Sequence, residues 1–139
     1  MVQFLPTVNP LARPELTPVA IKAGITLADR LFGKSKKIMD YTFIPTTFFT
    51  SPYEYGCIGF TQEMANQKYG EDKVETYLSR FGFVEAMATH RVDHDGQDFS
   101  APCFVKLICL KEEKNRVIGF HIISENAGEI TQGYSLPLK

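Results

Sequence analysis

The chain has 139 residues, 44% of them hydrophobic and 22% charged, and its 15 Lys and Arg against 16 Asp and Glu leave a net charge of −1. That length supports one core burying about two-thirds of the unfolded surface, and the charge balance excludes the basic footprint of a nucleic-acid binder. No apolar run approaches the roughly 18 residues of a membrane span, and the three cysteines, Cys57, Cys103 and Cys109, form no C-x-x-C pair, so neither an integral membrane helix nor a zinc knuckle is expected.

Residues 1–14 read as a poorly ordered lead-in, because Pro6, Pro10 and Pro14 interrupt Val2, Phe4 and Leu5 before any signal-peptide core can form. A reducing, cytoplasmic compartment is the default that follows. Order should begin at Thr17, a capping type of residue followed by Pro18, and TPVAIKAGITLADRLF should run as a helix to a left-handed cap at Gly33. Ala20, Ile21, Gly24, Leu27, Ala28 and Leu31 make one face apolar and rich in small residues, suited to close helix packing or to a large flat ligand. The lysines at 34, 36 and 37 belong to a solvated loop.

Strands are expected at 46–50, between Pro45 and Pro52, and at 55–60. Thr61 should cap a helix with Glu63 in its first turn and Gly70 as its stop. A strand follows at 74–83, and 85–102 carries no clear pattern. The β-rich runs 103–110 and 116–123, joined by KEEKN, predict a hairpin, and Asn126 with Glu129 predicts a capping box for a last short helix. The order helix, strand, strand, helix, strand, strand, strand, helix predicts an α+β two-layer domain, a mainly antiparallel sheet with helices on one face.

Candidate chemistry is sparse. His90, Asp93, His94 and Asp95 gather four potential ligands in HRVDHDGQD, but the Asp-Gly turn supplies neither a helical frame nor calcium-loop spacing, and a solvated hairpin turn is the reading adopted. His121, inside VIGFHIIS, reads as a satisfied sheet residue, and the cysteines as buried thiols. No G-x-G-x-x-G, Walker loop or nucleophile elbow occurs. The free amides of the helix starting at Thr17 can stabilise an anion, as any helix start can.

Three segments, ELTPVAIKAG at 15–24, PTTFFTSPYEYGCIGFTQEMA at 45–65 and RVIGFHIISENAGEITQGY at 116–134, resemble the C-terminal part of the pyridine nucleotide-disulfide oxidoreductases. The likeness is greatest to the animal-type thioredoxin reductases and thioredoxin-glutathione reductases, and it runs from residue 15 almost to the end. The resemblance implies an interface domain at 15–139 that forms most of a homodimer contact. It also implies that Leu16, Thr17 and Pro18 lie beside the N1–O2 edge of FAD, where a reduced flavin gains negative charge.

The family's dinucleotide-binding glycines, NADPH domain, C-x-x-x-x-C disulfide and terminal His-Pro segment have no counterpart here, and Pro137 falls where the family helix continues. The resemblance therefore implies an interface domain truncated at its C-terminal end and silent by itself. The parent reaction passes electrons from NADPH through FAD to a protein disulfide such as that of thioredoxin. The alternative is a free dimerisation module that pairs with a full-length reductase subunit and modulates it. No catalytic or metal-binding residue, no nucleic acid and no membrane is expected, and the compartment implied is the cytoplasm, with the mitochondrion as the alternative.

Overall fold

A computed structural model of the chain describes residues 15–82, 84, 88 and 102–138. The expected lead-in and the HRVDHDGQD segment with His90 and His94 lie outside the described residues. The elements are α1 (Thr17–Phe32), β1 (Thr46–Phe48), β2 (Glu54–Gly59), α2 (Gln62–Tyr69), β3 (Val74–Phe81), β4 (Cys103–Leu110), β5 (Arg116–Ser124) and α3 (Ala127–Tyr134). All neighbouring strands pair antiparallel in the order β1-β2-β5-β4-β3. The α+β class and its element order are those the sequence predicts.

Local chemistry explains the boundaries. Thr61 caps α2 as expected, its hydroxyl accepting from the Met64 amide at 3.3 Å, and Gly70 ends that helix at φ 97°, where a side chain would be strained. Lys114 and Asn115 take the left-handed conformation in the loop that closes the β4–β5 hairpin. Strand β1 stops at Phe48, short of the predicted 50, as the chain turns where the Thr50 hydroxyl bonds the Tyr53 carbonyl.

Three caps differ from the sequence expectation. Leu16, in extended conformation, occupies the cap position of α1, so Thr17 is its first helical residue. The left-handed residue after α1 is Lys34 and not Gly33, because the Gly33 and Ser35 amides both return to the Asp29 carbonyl, closing the last turn one residue later. Asn126 sits at φ 58° and its side chain makes no cap bond, so no capping box forms. Glu54 of β2 instead accepts from the Gly128 amide at 3.0 Å.

The core lies in two clusters. Phe60, Ala65, Val74, Ile108, Leu110 and Ile118 gather under α2, whereas Ile58, Phe120, Ile122 and Ala127 gather under α3. Each fully buried Ile among them removes enough apolar surface to contribute roughly 1.5–3 kcal/mol. The approach of α3 is set by Gly56, where a Cβ would lie 2.0 Å from Thr131 Oγ1 and 2.9 Å from the Ala127 carbonyl oxygen. Gly119 likewise admits the backbone of Phe60, whose oxygen would stand 2.1 Å from an added Cβ.

Candidate functional site

The first candidate is the start of α1. Leu16 is half-buried while Thr17 and Pro18 are exposed, and the first turn contains no acidic side chain. The amides of Thr17 and Val19 have no helical carbonyl behind them and Pro18 has no N–H, so this end presents bare positive dipole to whatever lies against it. Along the helix, Gly24 has nothing within 4 Å of an added Cβ, and Ile21, Ile25, Leu27, Leu31 and Phe32 are all exposed. Among the described residues, therefore, nothing packs on the helix at Gly24.

The second candidate is a polar cluster on the sheet beside α2. Strand pairing sets Cys57 opposite His121 and His121 opposite Lys106. His121 Nδ1 lies 2.7 Å from the Tyr55 hydroxyl, and its Nε2 lies 3.0 Å from the Phe60 carbonyl oxygen. Because that carbonyl can only accept, Nε2 carries the hydrogen and Nδ1 accepts from Tyr55. Lys106 Nζ donates to Gln62 Oε1 at 2.6 Å, which holds the ammonium at the start of α2. Burial pushes the His121 imidazolium below its ordinary pKa, and burial raises the Tyr55 hydroxyl and the Cys57 thiol. Glu63 is held low by its own backbone amide and by the Thr61 hydroxyl. His121 is thus the satisfied sheet residue that its place in VIGFHIIS predicts.

Neither candidate assembles a nucleophile and a base. Cys57, Cys103 and Cys109 are all free, and burial raises the pKa of each thiol, so none is poised as a thiolate. Among the described residues no group of His, Cys, Asp and Glu could hold a metal ion, and no helix is long and apolar enough to cross a membrane. Sequence reasoning missed the Tyr55–His121 contact, since the two residues are 66 apart and only strand register joins them.

Comparison with known proteins converges on one family. Residues 44–139 match the model described as pyridine nucleotide-disulphide oxidoreductase, dimerisation domain. The chain is 50% identical over 133 residues to a thioredoxin reductase of Plasmodium falciparum (isolate FCH-5), a match covering 91% of this chain and 24% of that protein. It is 47% identical over 130 residues to thioredoxin reductase SEP1 of Emiliania huxleyi, covering 94% of this chain and 25% of that one. The chain thus spans about a quarter of the length of these curated relatives. Among solved structures, a NAD-dependent persulfide reductase from A. fulgidus superposes with a TM-score of 0.61 at 17% identity, over 87% of this chain and 20% of that one, a likeness of fold.

Proposed function

The chain belongs to the pyridine nucleotide-disulphide oxidoreductases through their dimerisation domain, and from that premise we propose that its 139 residues supply the self-pairing unit of a thioredoxin reductase-like flavoprotein disulfide reductase. The observation that carries this reading is the 47–50% identity to thioredoxin reductases over more than nine-tenths of the chain. The parent reaction takes electrons from NADPH through FAD to a protein disulfide. Within it, these residues pair two subunits and present one helix end to the flavin.

The start of α1 fits that second role. An uncapped helix N-terminus without a first-turn carboxylate leaves its amides and dipole free for a partner carrying negative charge. Leu16, Thr17 and Pro18 would stand against the flavin's N1–O2 edge, and bound FAD would supply the two-electron chemistry. The helix residues themselves stabilise charge and exclude water, and transfer nothing. The three free thiols support work in a reducing compartment.

By themselves these residues move no electrons. Each thiol is kept protonated by burial, and none has a disulfide partner. The test is NADPH oxidation by the purified chain with added FAD and thioredoxin. No consumption above the protein-free control is expected, and sustained turnover would overturn the reading.

A further inference from the structure

We draw no further inference here: the strongest candidate, the exposed apolar side of α1 at Ile21, Ile25 and Leu31, carries nothing, because nothing in the structure shows what covers it.

Discussion

Glu54 caps a helix that begins 73 residues after it, its Oε2 accepting from the Gly128 amide at 3.0 Å. A strand carboxylate thus takes the place that Asn126 would have held, and it does so with charge as well as geometry, since it faces the positive end of the α3 dipole. Two neighbours enforce this: Gly56 brings the helix down onto β2, and Thr131 is fully buried against it.

Removing that cap should cost what a cap is worth. Glu54→Ala is expected to lower stability by about 1 kcal/mol, a fall of roughly 4 °C in Tm. Asn126→Gly should change stability by less than about 0.5 kcal/mol, because the asparagine makes no cap bond and its φ of 58° suits glycine. Thermal unfolding of both variants decides the matter, and a larger loss at Asn126 than at Glu54 would restore the capping box.

Gly56→Ala should be far more damaging than an exposed glycine change. Its Cβ meets Thr131 Oγ1 and the Ala127 carbonyl, and a backbone atom cannot swing aside, so overpacking of about 1–3 kcal/mol is expected. Gly24→Ala meets nothing within 4 Å and should stabilise α1 by up to about 1 kcal/mol through helix propensity. Urea denaturation of the pair should show opposite signs.

Stability should fall on mild acidification. His121 has a folded pKa lowered by burial, so the unfolded chain binds its proton more readily and stability is lost as pH drops below the unfolded value of about 6.5. Glu63, also lowered in the folded state, adds a loss only further down, as pH falls below about 4.3. Denaturation midpoints across this range should decline, and His121→Gln should flatten the upper part of the decline. An unchanged slope in that variant would assign the loss to other groups.

The thiols should be slow. Cys103 and Cys109 are 1% and 2% exposed, and burial raises both pKa values, so a thiol-specific reagent should modify neither in the native protein. Denaturant should release all three. Rapid native labelling of either buried thiol would contradict the packing described.

Much of this fold was legible because its signals are local. The β4–β5 hairpin, the Thr61 cap and the Gly70 stop each depend on a few adjacent residues. The capping of α3 was not, since Asn126 and Glu129 carry the right spacing while the group that wins, Glu54, is brought in by a strand. The Tyr55–His121 contact was hidden for the same reason. At the α1 end, the helix start at Thr17 and Pro18 was read from the residues, but the place of Leu16, Thr17 and Pro18 beside a flavin entered through resemblance alone. Thr17 and Pro18 are exposed and Leu16 half-buried, and no side chain among them names a partner.

The central claim, that these residues form a self-pairing unit, is tested most directly by light scattering on the purified chain after size-exclusion chromatography across a concentration series. A species of twice the chain mass that persists on dilution into the micromolar range is the predicted result. A single-chain mass at every concentration would contradict it.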